Sequence, residues 1–141
     1  MTRRNSIELE RAWQTFVTLV MDTRGDFRRN AAASTGLPFS RLRALKRVGK
    51  TPLTLRELAE AMSTDAPAAT VIVNDLEARG LVRRAPHPDD KRAKTVSVTP
   101  EGKRVLRVLA SVPDPVPSSF ALLDDRDVAN LVRISGKLRA R

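Results

Sequence analysis

Between Thr54 and Thr99 the chain sets helix starts and stops at short intervals, then switches from helical to strand periodicity. Thr54-Leu-Arg-Glu57 is a capping-box pattern. In such a box the Thr hydroxyl accepts from a first-turn backbone N–H, and the Glu reaches back to the Thr N–H. The pattern predicts a helix over 55–62 with Leu55, Leu58, Ala59 and Met62 inward. The polar break Ser63-Thr64-Asp65 comes next. Asp65 suits the cap of a second helix and Pro67 its first turn, with Gly80 as the stop after Arg79. Val71, Val73 and Leu76 are candidates for its buried side. Two helices of roughly 8 and 14 residues joined by a tight polar turn fit a helix-turn-helix.

The segment after Gly80 narrows the choice. Leu81-Val-Arg-Arg-Ala85 reads as a short strand, and Thr95-Val-Ser-Val-Thr99 alternates apolar and polar residues as a half-buried strand does. Between them, Pro86-His-Pro-Asp-Asp-Lys-Arg92 is rich in turn formers and charge. A hairpin closes with about two to five residues. A longer, basic loop predicts a protruding contact surface, a wing.

The flanks read as helices. Ile7, Trp13, Phe16, Val17, Val20, Met21 and Phe27 recur at helical spacing and predict one amphipathic helix over 6–29, capped by Ser6. Gly36 and Pro38 interrupt the chain, and a helix over 40–48 ends at Gly49, placed as a C-terminal cap. Leu42, Leu45 and Val48 face one way, with Arg41, Arg43, Lys46 and Arg47 around the rest. A further helix starts after Pro100, carries Val105, Leu106 and Leu109 inward, and ends near Val112 before Pro113, Pro115 and Pro117. The last begins near Asp124 with Val128, Leu131, Val132 and Leu138. Apolar stripes on both terminal helices would stay wet unless they met each other or a second copy. A homodimer through the terminal helices is therefore expected.

Composition excludes several classes. There is no cysteine, hence no disulfide framework, thiolate metal site or thiol nucleophile. The one histidine, His87, lies between two prolines in the loop, and no phosphate-cradling glycine loop is present. No enzyme and no cofactor is expected. No apolar run approaches the roughly 20 residues of a membrane span. The charged start Met1-Thr-Arg-Arg lacks a subsequent apolar stretch, so the expected location is the cytoplasm. The net charge of +10 favours a polyanion partner. One Trp, four Phe and no Tyr offer little stacking surface for single strands.

The run Thr70-Val-Ile-Val-Asn-Asp-Leu-Glu-Ala-Arg-Gly-Leu-Val-Arg-Arg84, the loop 86–92, and Val96-Ser-Val-Thr-Pro-Glu-Gly102 together resemble the multiple-antibiotic-resistance regulator (MarR) family. That family's pattern has Leu-Glu-x-x-Gly-Leu-Val-x-Arg, then an Asp-x-Arg wing tip, here Asp90-Lys91-Arg92, then a strand ending in Thr-x-x-Gly, here Thr99 and Gly102. The resemblance implies one domain over 1–141, mostly α with a small β-hairpin wing. A winged helix-turn-helix lobe would occupy 36–100, and dimerisation helices 6–31 and 118–141. It implies a homodimeric regulator, expected to be a repressor of a palindromic duplex operator. The second helix of the motif would lie in the major groove, the wing would reach a minor groove, and a small aromatic or phenolic effector would release the DNA. The chain departs from the family where Val71 and Asp75 replace frequent Arg or Lys, and where the prolines at 113–117 break a helix that is often continuous. The rival reading is a basic architectural protein without sequence preference.

Roles can be assigned residue by residue. Pro67, Ala68, Thr70, Val71 and Asn74 are expected on the exposed side of the recognition helix, with Thr70 and Asn74 reaching base edges. Thr64 is the expected phosphate contact at its start, because Asp65 would oppose one. Arg92 is expected in the minor groove, held by a charge-assisted bond from Asp90. Lys91, Lys94, Arg83 and Arg84 are expected on phosphates. Trp13, Phe16 and Phe39 are the aromatic candidates for an effector pocket.

Overall fold

The computed structural model describes residues 3–139; residues 1, 2, 140 and 141, the outer ends of the expected domain, lie outside the described residues. The order is α1 (Arg3–Thr23), α2 (Gly25–Thr35), α3 (Phe39–Lys50), β1 (Leu53–Thr54), α4 (Leu55–Met62), α5 (Ala66–Ala78), β2 (Val82–Pro86), β3 (Lys94–Val98), α6 (Pro100–Ser111), a 3-10 turn (Ser118–Leu122) and α7 (Asp125–Arg139). This is the mostly helical architecture with a small sheet that the sequence predicts.

Local chemistry sets the motif's ends. Glu57 N–H donates to Thr54 Oγ1 at 3.2 Å while Thr54 N–H donates to Glu57 Oε2 at 2.7 Å, completing the capping box of α4. The bond from the Thr54 backbone, more than that from its side chain, holds the Glu57 carboxyl below the ordinary carboxylate range. Ser63, at φ 52°, ends α4 in the left-handed region. Asp65 Oδ1 accepts from Ala68 N–H at 2.8 Å and caps α5. Gly80, at φ 72°, closes α5 where a side chain would be strained, and Leu81 N–H returns to Leu76 O at 2.9 Å.

The core lies where α3, α4 and α5 meet the sheet. Leu42, Leu45, Val48, Leu58, Val73, Leu76 and Val96 are its large, fully buried side chains. The sheet has the order β1-β3-β2, antiparallel throughout, with Val82 opposite Val98 and Leu53 opposite Val96. β1 was not expected: two residues show no periodicity, and only pairing with β3 makes them a strand. Its position ties the start of α4 to the root of the wing.

Several expectations are corrected. The single helix over 6–29 is two helices that part at Arg24, and the second continues to Thr35 before Gly36 at φ 72°. At the break, Gly25 supplies weak helix propensity. The Arg24 guanidinium turns away to pair with Asp114 and lies 4.1 Å from the Phe27 ring centroid. Ala31 to Ala33 extend α2 without an apolar rhythm that periodicity detects. Gly49 is no cap: α3 runs to Lys50, and a Cβ at 49 would stand 2.5 Å from Leu106 Cδ1. Absence of a side chain there lets α6 approach α3. On α5 the buried residues are Ala69, Ile72, Val73 and Leu76, whereas Val71 is 59% exposed and is not inward.

The terminal helices behave differently from the lobe. No residue of α7 is buried, and α7 makes no substantial contact with any other element. Trp13 is 65% exposed, Val132 66% and Leu138 75%. The 3-10 turn and α7 enclose an open apolar groove of about 500 Å³ lined by residues including Val116, Phe120, Leu123, Val128 and Leu131. No helix among the described residues is long and apolar enough to cross a membrane.

Candidate nucleic-acid interface

The turn Ser63–Asp65 presents the first turns of α5, and the loop 87–93 projects beyond the sheet beside it. On α5, Pro67, Val71 and Asn74 are exposed while Ala68 and Thr70 are half-buried, as is Thr64 in the turn before it. Thr70 Oγ1 donates to Ala66 O at 2.9 Å, which leaves the hydroxyl as an acceptor. Asn74 Oδ1 accepts from Arg84 at 2.6 Å. This bond uses one of the two acceptor positions on Asn74 Oδ1 and leaves the amide N–H donors free.

The Arg84 guanidinium, expected on a phosphate, is engaged within the molecule. Its side chain is 19% exposed and joins Glu77 as well as Asn74, bracing the wing against α5. Asp75, which departs from the family pattern, is an intramolecular hub: Arg79 Nε donates to it at 3.0 Å and Arg41 Nε at 2.9 Å. The Arg79 bond and then the Arg41 bond hold its carboxyl below the ordinary range. The i,i+4 spacing of Asp75 and Arg79 was legible in the sequence. The Arg41 and Arg84 partnerships, across elements, were not.

These shifts carry a pH consequence. A carboxyl depressed by folding contributes stability above its unfolded pKa of about 4, and that contribution is lost as pH falls through the lower folded value. Asp75→Asn should lower the melting temperature at pH 5 to 7, with the gap to wild type narrowing below about pH 4. Melting curves at pH 7 and pH 3 with an equal gap would refute this role of Asp75.

The wing corrects another expectation. Asp90 Oδ1 accepts from the Arg92 backbone N–H at 3.0 Å, and Ala93 N–H donates to Asp90 O at 3.1 Å. Asp90 thus shapes the tip through the main chain and does not hold the guanidinium. Arg83, Lys91, Arg92 and Lys94 are exposed, and none is in an ion pair among the described residues. Arg92 and Lys94 flank a shallow groove with Arg56 and Arg84 between the wing and the start of α4. At the wing, Arg83, Lys91, Arg92 and Lys94 are free to meet an anion, while Arg84, nearer the core, is spent on holding the wing in place.

The aromatic candidates do not converge. Trp13 and Phe16 are exposed on α1, whereas Phe39 packs edge-on against Phe27, with ring centroids 6.2 Å apart, under the Arg28 guanidinium. Within one chain they form no pocket.

A helix pair, a three-stranded sheet and a projecting basic hairpin define a winged helix-turn-helix protein. Residues 35–93 match the model of the MarR family. It is similar to the transcriptional regulator HosA of Escherichia coli O111:H-, 40% identical over 60 residues. That alignment covers 43% of this chain and 44% of the regulator, so the chain spans less than half the length of this curated relative. The fold is shared with the transcriptional regulator BldR from Sulfolobus solfataricus at a TM-score of 0.75 and 23% identity, covering 98% of this chain and 97% of that one. It is shared too with a MarR family transcriptional regulator from Streptomyces coelicolor solved in complex with DNA, at a TM-score of 0.66 and 22% identity, covering 94% and 86%.

Proposed function

We propose that this protein is a cytoplasmic transcriptional repressor that binds a palindromic duplex operator as a homodimer. The observation that carries the reading is one outward surface made of the exposed start of α5 and the unpaired cations of the wing. α5 enters the major groove, where Ala68 and Val71 meet thymine methyls and Thr70 and Asn74 meet base edges. Thr64 and Pro67 stand at the phosphates beside the helix start, and Arg83, Lys91 and Lys94 contact phosphates along the wing. Arg92 enters the narrow minor groove, where the potential is most negative. A DNA complex of a similar regulator supports the mode of use.

With about six phosphate contacts per dimer, the log–log salt slope should be near −5. A slope shallower than about −2 would contradict it. Arg92→Ala should weaken operator binding about tenfold without moving the melting temperature, since the side chain is exposed and unpaired. Unchanged affinity of this variant for every duplex would remove the wing from the interface. The deciding experiment competes a promoter fragment against random duplex and RNA. Preference for the promoter supports the regulator, and equal affinity for all three leaves a basic architectural protein in its place. Release by a small aromatic or phenolic effector belongs to the same reading. Titrating simple phenols and aromatic acids into the complex tests it.

A further inference from the structure

A second unpaired positive surface lies apart from the wing. From Phe27 to Arg56 the chain has no acidic residue and eight basic ones. Half of these, Arg43, Lys46, Arg47 and Lys50, are exposed on α3, and none is in an ion pair among the described residues. At about 100° per residue they fall within a sector of about 100°, centred nearly opposite Arg41. Arg41 is the residue of α3 that reaches Asp75 on the recognition helix. The cationic face therefore points away from α5. Arg28, stacked over the Phe39 ring at the start of α3, extends the same ridge. Asp114, the acidic group that feels Lys46, is already engaged by Arg24.

Resting on the reading of this protein as a DNA-binding regulator, we propose that the α3 face of Arg43, Lys46, Arg47 and Lys50 is a second docking surface that takes the phosphate backbone of a separate DNA duplex. Charge complementarity selects the occupant. The face is about 10 Å long between positions 43 and 50, close to the rise of three base pairs. No apolar side chain is exposed among the four cations to anchor a peptide or a lipid surface, and no base-reading geometry is present. Contact is with phosphates and independent of sequence, and it lets one protein bridge two segments of DNA.

The test immobilises a duplex, loads it with protein, and measures capture of a second, fluorescent duplex. Wild type should capture it, with capture falling about a hundredfold between 50 and 200 mM salt for four phosphate contacts. The variant R43Q/K46Q/R47Q/K50Q should lose capture at least about tenfold while holding the first duplex within about threefold of wild type. R43K/R47K, which keeps the charge, should capture as wild type does. Capture that survives neutralisation overturns the proposal, because the two lobes of a dimer would then be doing the bridging. A parallel loss of first-duplex binding also overturns it, by placing these residues in the primary interface. If wild type holds the first duplex and takes no second one, this proposal alone falls; if it holds no duplex at all, the regulator reading falls before it.

Discussion

Gly102→Ala should lower the melting temperature by roughly 10 °C, the counterpart of about 3 kcal/mol in a domain of this size. Gly102 is buried in the first turn of α6, where its N–H donates to Thr99 Oγ1 at 3.0 Å, and that hydroxyl bonds onward to Gly80 O at 2.6 Å. A Cβ there would collide with the carbonyl oxygen of Leu81 and stand 2.7 Å from Val98 Cγ2. The carbonyl is main chain at the root of the wing, immediately after α5, and cannot rotate aside. Ala gains about 1 kcal/mol in helix propensity over Gly, far less than the clash costs. Gly49→Ala is the internal comparison: its Cβ meets the end of the Leu106 side chain, which can change rotamer, so its loss should be well under half as large. Thermal unfolding by circular dichroism measures both. A Gly102→Ala protein as stable as wild type would mean that α6 and the wing do not pack as described.

Trp13→Asp combined with Val132→Asp should convert the protein to a monomer and reduce operator affinity by more than about a hundredfold. Both side chains are about two-thirds exposed and belong to terminal helices that leave apolar stripes open along their length. Burying a hydrophobic side chain of this size is worth about 2 kcal/mol, and an aspartate in its place must be desolvated. Neither substitution touches the core of the lobe, so the monomer should keep its fold. The affinity loss arises because one lobe's binding no longer brings the other to its half-site at high effective concentration. Sedimentation and a gel-shift titration read the two consequences separately. A variant that stays dimeric would remove the terminal helices from the interface, and a wild-type protein that is monomeric at micromolar concentration would end the palindrome argument.

The helix-turn-helix is legible residue by residue because its ends are fixed by neighbours within four positions. The Thr54–Glu57 box, the Asp65 cap, the Gly80 turn and the alternation at 95–99 all appear where local chemistry places them. The same is true of the exposed cations at 83, 91, 92 and 94, since a hairpin tip has little to bury them. Gly49 shows the limit. In sequence it looks like a helix stop, and only the arrival of α6, more than fifty residues later in the chain, gives its missing side chain another purpose. β1 exists because β3 lies beside it.

Charge was the property that tertiary structure redistributed most. Composition states how many guanidinium groups there are, but Coulomb attraction between residues far apart in the chain decides which remain free. Arg24, Arg41 and Arg84 are spent on Asp114, Asp75 and Glu77, while Arg92 and the α3 stripe are left to solvent. Short-range capping and periodicity are written into consecutive residues and survive in any context. Partnerships across 34 or 90 positions depend on how the helices cross, and only the assembled fold selects them.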